Sequence, residues 1–432
     1  MESCHEFLDD WIYFSNDCLN DWSDGMRFLL LGKGKTTQAI AQFLKEMNQD
    51  VDFACKIEEK SNNELLFDNQ LLKLKNIDYV IKSPGISEIH PVFRKIKKKF
   101  KVISELDLFY LFQIETKVIA ITGSNGKTTC VHLIEQLLKN ARFKVLVCGN
   151  SHLPIFSYKD EFKSLDYLIV ELSSFQLENL TFYHPHLSTI LNLSPNHLDS
   201  VRSLKSYYQS KMNIYRYADF NDYFIYNPAI KQIPIHKVKA TIRCIDPTLF
   251  YKMDIPSEIQ CYKTQILVLY EIKQILNIDL KTFLLTLNQF HPLPFRQQQT
   301  WVNDILFIND SKSTSVDSAI FAFKNIPPQK NIILIIGGKD KKLNYKPLKN
   351  LSYYRLVVYG QIKDKVSKKI KNIIVFDDLE KAFKYATSLK IDKKVILFSP
   401  ATSSFDQYQN YQERGYHFEQ LIQRYRSQDD EE

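Results

Sequence analysis

Residues 118–129, VIAITGSNGKTT, constrain the fold more than any other stretch, because they set a strand, a tight loop and a helix in direct succession. Val118, Ile119 and Ile121 are β-branched and suit a buried strand. Gly123 and Gly126 let the backbone turn with its amides pointing inward. The helix expected from about Thr129 to Lys139 aims the positive end of its dipole at the same loop. The loop also carries chemistry. Lys127 offers a point charge for β- and γ-phosphates, and the Thr128 hydroxyl suits a nucleotide-bound Mg²⁺. Ile121 stands where a strict Walker loop has glycine, so the pattern is a TGxxGK[ST] variant. A plain glycine turn is the alternative; GK[ST] at a strand-to-helix junction favours nucleotide.

The alternation extends along the chain. From Met26 to about Leu111 a βαβ-like pattern runs through Arg27–Leu31, an amphipathic helix to Met47, a strand near Val51–Ala54 and another over Ile77–Lys82. Between about 116 and 296, strands are expected at 117–122, 144–148, 166–172, 188–194 and 222–226, which suggests a doubly wound parallel sheet. LFIND, NIILIIGG, RLVVYG, NIIVF and KVILFSP repeat the pattern to the end. The expected fold class is α/β in three consecutive domains: Rossmann-like over 26–115, a central P-loop ATP-binding parallel sheet over 116–296, and Rossmann-like over 297–432. Residues 1–25 stand apart as a polar and aromatic extension.

Composition excludes several classes. The net charge of +8 fits an enzyme of anionic substrates without arguing for nucleic acid. The run Arg94–Lys99 reads as a solvated helix face with no aromatic platform among its lysines, so no nucleic-acid partner is expected. Seven scattered cysteines without a CxxC pair argue for a reducing compartment and against a disulfide framework or zinc site. No apolar run approaches a membrane span, and MESCHEFLDDW is acidic where a signal peptide is basic. A cytoplasmic monomer without membrane insertion is expected.

In an open parallel sheet, ligands gather beyond the carboxyl ends of strands. Three strand ends deliver suitable groups: the phosphate loop, Glu171 after YLIV, and His197 with Asp199 in the loop after STILNLSP. Lys211 follows on a helix beginning near Leu204. A carboxylate and an imidazole beside phosphates suit Mg²⁺. Alternatively, Glu171 caps a helix N-terminus and His197 bonds to backbone. Near the N-terminus, Gly32-Lys33-Gly34 lacks the third glycine of a dinucleotide fingerprint, so anion contact and tight turn both stay open.

ITGSNGKTT, ELSSFQLE, LNLSPNHLD, NDSKSTS, GGKDK and SPATSSFDQYQNYQERGYHF resemble, in order and spacing, the Mur ligase family and within it the D-glutamate-adding branch. The likeness spans roughly residues 26–426, and the DNPR motif of the diaminopimelate- or lysine-adding sibling is absent. The resemblance implies a bacterial peptidoglycan-precursor ligase that joins D-glutamate to UDP-N-acetylmuramoyl-L-alanine, with ATP converted to ADP and phosphate through an acyl phosphate. It places ATP on Gly123, Ser124, Asn125, Gly126, Lys127, Thr128 and Thr129, with Arg296 and Asp310 engaging from the third domain. Thr128 and Glu171 would ligate one Mg²⁺, and His197 with a carbamylated Lys211 a second; an unmodified Lys211 in a surface ion pair is the alternative. Asn150 matches a substrate contact near the phosphoryl-transfer site. Gly34, Thr36, Ser83 and Gly85 match loops that hold the uridine diphosphate group. Lys312, Thr314, Lys341, Ser404, Phe405 and Tyr411 match the D-glutamate pocket.

Three departures stand out. Cys261-Tyr262-Lys263-Thr264-Gln265 replaces the family's usual His-Asn…Asn run near the adenine, Asn196 replaces an aspartate, and Lys342 stands where glycine is frequent. Two other classes remain open on sequence: a nucleotide-binding module that has lost catalysis, motivated by the altered 261–265 stretch, and a nicotinamide-dependent dehydrogenase using the N-terminal GxG.

Overall fold

The computed structural model describes residues 25–32, 34–54, 75–84, 86, 91–194, 203–326, 331–341 and 343–429. Three sheets follow one another along the chain. The first holds β1 (Arg27–Leu31), β2 (Asp50–Ala54), β3 (Tyr79–Lys82) and β4 (Val102–Ile103) in the order β2-β1-β3-β4, all parallel. The second holds β5 (Val118–Thr122), β6 (Val145–Gly149), β7 (Tyr167–Glu171), β8 (Leu187–Ile190), β9 (Tyr223–Tyr226) and β10 (Thr241–Cys244) in the order β10-β9-β8-β5-β7-β6, again all parallel. The third holds β11 (Gln298–Val302), β12 (Ile305–Asn309), β13 (Ile332–Gly337), β14 (Arg355–Tyr359), β15 (Ile374–Phe376) and β16 (Val395–Phe398) in the order β11-β12-β16-β13-β14-β15. Only β11 runs antiparallel among them, as an edge strand.

Parallel sheets are covered on both faces, so their strands need apolar residues at every position. β5 shows this: Val118 and Ala120 enter one core, while Ile119 and Ile121 enter the opposite one. β13 divides likewise, with Ile333 and Ile335 on one face and Ile332, Leu334 and Ile336 on the other. The first and second sheets share a core. Phe43 of the helix Lys35–Glu46 meets Phe156 at 4.6 Å between ring centroids, and Phe109 meets Phe162 at 5.1 Å. The third sheet has cores of its own.

The α/β class and the serial three-layer order agree with the sequence expectation. Several boundaries differ. The strand expected over 188–194 ends at Ile190, because residues 191–194 turn aside to brace the phosphate loop. The helix expected from Thr129 begins at Lys127, immediately after Gly126 in its left-handed conformation. β10 and the antiparallel β11 were not anticipated; β10 is half exposed and β11 is polar apart from Trp301 and Val302. Residues 1–24, Gly85, Asn196, His197, Asp199 and Lys342 lie outside the described residues. No helix among the described residues is long and apolar enough to cross a membrane.

Candidate active site

β5 lies between β7 and β8, so the loop after it opens between two neighbouring strand ends. Gly123 (φ +155°) and Gly126 (φ +79°) turn the chain there. At Gly126 a Cβ would collide with the Gln265 amide, so the position demands glycine twice over. The loop is braced by the segment after β8. Ser124 N–H donates to Asn192 O (3.0 Å), Asn125 N–H to Asn192 Oδ1 (2.9 Å), and Ser124 Oγ to Ser194 O (2.9 Å).

Lys127 Nζ curls back onto the Gly123 carbonyl (2.9 Å). Its burial lowers the ammonium's pKa, Glu171 opposes that, and Arg296 adds to it. Glu171 ends β7 and is 1% exposed. Its Oε1 accepts from Asn150 Nδ2 and Ser151 Oγ, both at 3.0 Å, while Oε2 has no hydrogen-bond partner and lies 3.8 Å from His152 Nε2. The helix-capping alternative for Glu171 fails, since the helix Ser174–Leu177 is capped by Ser173 and Gln176. An orphaned, buried carboxylate oxygen on a residue that lines one cavity with Thr128 fits a hard divalent cation.

Lys211 is 1% exposed, which removes the surface ion-pair alternative. Its Nζ donates to the Gly123 carbonyl at 2.9 Å, the same oxygen that accepts from Lys127, and stands over the Tyr207 ring. Burial, followed by the Lys127 charge, drives its pKa far down, and Glu171 only partly opposes this.

A cavity of about 370 Å³ joins the second and third sheets. From the second it takes Ser124 to Thr128, Asn150, Ser151 and Glu171; from the linker and third it takes Arg296, Lys312, Thr314, Ser315, Ser318, Lys341 and Leu343. Ser318 Oγ donates to Asn125 Oδ1 at 3.2 Å, so the third sheet's first helix touches the phosphate loop directly. Four cations, Lys127, Arg296, Lys312 and Lys341, face one carboxylate among the described lining residues. Burial, with Arg296 next in weight, lowers Lys312, and burial also lowers Lys341.

Other expected residues fall elsewhere. Asp310 is enclosed beneath the wall, accepting from Ser313 Oγ (2.6 Å) and Ser399 Oγ (2.9 Å), and burial pushes its pKa up to about 6. Tyr411 reaches the site through Lys312, whose Nζ stands 4.6 Å over its ring. Ser404 is buried, its carbonyl bonding Gln407 and Tyr408 N–H, and Phe405 is 61% exposed; neither lines the cavity. In the first sheet, Gly34 backs onto Ser83, and Thr36 lines a small separate pocket with Lys82, Glu105 and Gln176.

Sequence reasoning missed Asn192, Ser194, Ser151, His152, Gln265, Ser318 and Arg414. Arg414 belongs to the ERG motif and is fully buried. Its guanidinium donates to the carbonyls of Ser311 (2.8 Å), Thr402 (3.0 Å) and Gly337 (3.3 Å), tying three strand-end loops together. Its place inside a quoted motif was a signal, as were those of Asn192 and Ser194 in LNLSPNHLD and of Gln265 in the altered 261–265 stretch; Ser151, His152 and Ser318 carried none.

Residues 121–275 match the Mur ligase middle domain. A relative from Francisella philomiragia subsp. philomiragia, named UDP-N-acetylmuramoylalanine--D-glutamate ligase, is 30% identical over 95% of this chain and 98% of its own. The chain belongs to the Mur ligase family, among the D-glutamate ligases. A relative of the same name from Elusimicrobium minutum is 29% identical over 92% of this chain and 97% of its own. In fold the ligase is similar to the MurF ligase from Thermotoga maritima in complex with ADP, with a TM-score of 0.55 at 15% identity over 94% of this chain and 99% of that one.

Proposed function

We propose that this ligase couples ATP cleavage to addition of D-glutamate to UDP-N-acetylmuramoyl-L-alanine, in the cytoplasmic assembly of peptidoglycan precursors. The observation that carries the reading is the cavity with four cations against one carboxylate, built on a GK[ST] loop. A polyanion suits it: phosphates restore the charged form of lysines that burial disfavours. Names of relatives that match nearly end to end support the choice of acceptor.

A carboxylate is a poor electrophile, so transfer of the γ-phosphoryl to it comes first, giving an acyl phosphate that the D-glutamate amine then attacks. Lys127 and the loop amides hold the β- and γ-phosphates, and Arg296 faces them across the cavity. Lys312, Thr314 and Lys341 receive the dicarboxylate of D-glutamate. Thr128 and Glu171 would hold Mg²⁺, which spreads charge on the transferring group. Asn150 and Ser151 orient the Glu171 carboxylate through Oε1 and leave Oε2 free for the ion. Burial disfavours the charged form of the Lys211 amine, and the neutral form is the one that adds carbon dioxide, which supports the carbamate reading. In this reading 26–115 receives the uridine diphosphate portion, 116–296 the nucleotide and 297–432 the D-glutamate.

A coupled assay tests it. ADP should appear only when UDP-N-acetylmuramoyl-L-alanine and D-glutamate are both present. Equal turnover with another amino acid in place of D-glutamate would overturn the acceptor.

A further inference from the structure

The segment Phe295-Arg296-Gln297 links the second sheet to the third and carries Arg296 into the cavity. Its backbone adopts a shape that residues with side chains avoid: φ is +61° at Phe295 and +53° at Gln297. Such strain persists only where the surroundings over-determine it. Here they do. Phe295 N–H donates to Gln298 Oε1 (3.1 Å), and the Phe295 carbonyl accepts from Lys312 N–H (3.1 Å). The Gln297 N–H bonds to the enclosed Asp310 carboxylate. The Phe295 ring packs edge-on to Tyr416 at 4.7 Å and over Gly415, where a Cβ would collide with it.

All of these clamps come from the third sheet's side. The carbonyl of Arg296 itself is held from the other side, where Tyr262 Oη donates to it at 2.5 Å. Tyr262 is 2% exposed and directly precedes the helix Lys263–Ile275, which also lays Gln265 over Gly126 of the phosphate loop. Its ring meets Phe290 edge-on at 6.2 Å. Burial holds the phenol protonated well beyond working pH, so the donor is always present.

We propose that Tyr262 is a positioning residue of the nucleotide site: through the Arg296 carbonyl, its hydroxyl sets where the Arg296 guanidinium stands relative to the phosphate loop. The competing account is a core tyrosine that merely satisfies a buried carbonyl. The geometry favours positioning, because the bond crosses from the lobe bearing the phosphate loop to a strained segment whose side chain enters the cavity. The inference rests on the reading that this cavity takes ATP. It also gives a physical content to the departure at 261–265, where Tyr262 bonds backbone.

The test uses the full-length protein with Tyr262→Phe, Arg296→Ala and the double variant. Tyr262→Phe keeps the ring and should leave the unfolding midpoint within a few degrees of wild type. It should raise KM for ATP and Kd for ADP about five- to tenfold, the loss typical of one buried hydrogen bond. KM for the other two substrates should not move. In the Arg296→Ala background the same change should weaken nucleotide binding no further. An unchanged ATP KM, a rise in all three KM values, or an additive loss in the double variant would each overturn the proposal. ADP titration calorimetry separates the two readings. A wild type that binds ADP without turning over these substrates fails the acceptor assignment and leaves the Tyr262 comparison intact. A wild type that binds no adenine nucleotide overturns both.

Discussion

Glu105 sits buried at the seam between the first and second sheets. Its Oε1 accepts from Gln176 Nε2 at 3.0 Å, and its Oε2 has no partner. Burial raises this carboxyl from an ordinary 4.5 to about 7, and the Gln176 bond offsets only part of that. The folded protein therefore holds this proton more tightly than the unfolded chain does. The contribution to stability is complete below pH 4.5, shrinks as pH rises, and is lost above about 7. At about 1.36 kcal/mol for each tenfold change in proton affinity, the rise amounts to about 3 kcal/mol. Glu105→Gln keeps an acceptor for Gln176 and cannot ionise. Its stability advantage over wild type should grow by about 2.5 kcal/mol between pH 5 and pH 8.5, part of the rise being already lost at pH 5, whatever constant offset the new amide brings. Glu105 and Asn179 line a cavity of about 20 Å³, room for one water, and a water there lowers the magnitude without changing the sign. Urea midpoints and slopes for both proteins across that pH range read the difference. Two parallel profiles would refute the reasoning.

Two further outcomes are expected. Gly149 has φ +103°, and a Cβ there would strike the Glu171 carbonyl, which also accepts from Asn150 N–H at 2.9 Å. Gly149→Ala should cost about 2–4 kcal/mol in denaturant titrations and displace Glu171, so that ADP release falls at least a hundredfold; near-normal turnover would exclude that role for the strand end. Lys211→Ala should abolish turnover and recover part of it with a short-chain carboxylic acid, because either a carbamate or a carboxylate supplies anionic oxygens. Full activity without rescue rules the carbamate out.

The sequence was most legible where one residue type answers to one constraint. The apolar runs of β5, β7, β13 and β16 announced parallel sheets buried on both faces, and they are so buried. Gly123 and Gly126, expected to turn the chain between strand and helix, do so with positive φ. Edge strands were harder. β10 and β11 carry few apolar residues and have a solvated side, so period and propensity gave little signal. Among site residues, Lys127, Thr128, Glu171, Asn150, Arg296, Lys312, Thr314 and Lys341 line one cavity although Lys127 and Lys341 are far apart in the chain. Asn192, Ser194 and Ser318 act through bonds to residues distant in sequence, and no local pattern encodes such bonds.

The charge distribution explains why the third sheet meets the second across this cavity. Within each sheet's own core, apolar burial suffices, and the first two sheets are joined by a continuous core of aromatic rings. Across the cavity the facing groups are mainly cations: Arg296 disfavours the charged forms of Lys127 and Lys312, and Lys127 disfavours that of Lys312. One direct contact there is the neutral Ser318–Asn125 bond. A weak neutral contact combined with mutual repulsion makes the junction dependent on what lies inside it. A triphosphate converts each of those repulsions into an attraction shared by both sides, so ligand binding and apposition of the third lobe draw on the same free energy. In the proposed function, the cations that repel one another are the same ones that receive the phosphates and the dicarboxylate.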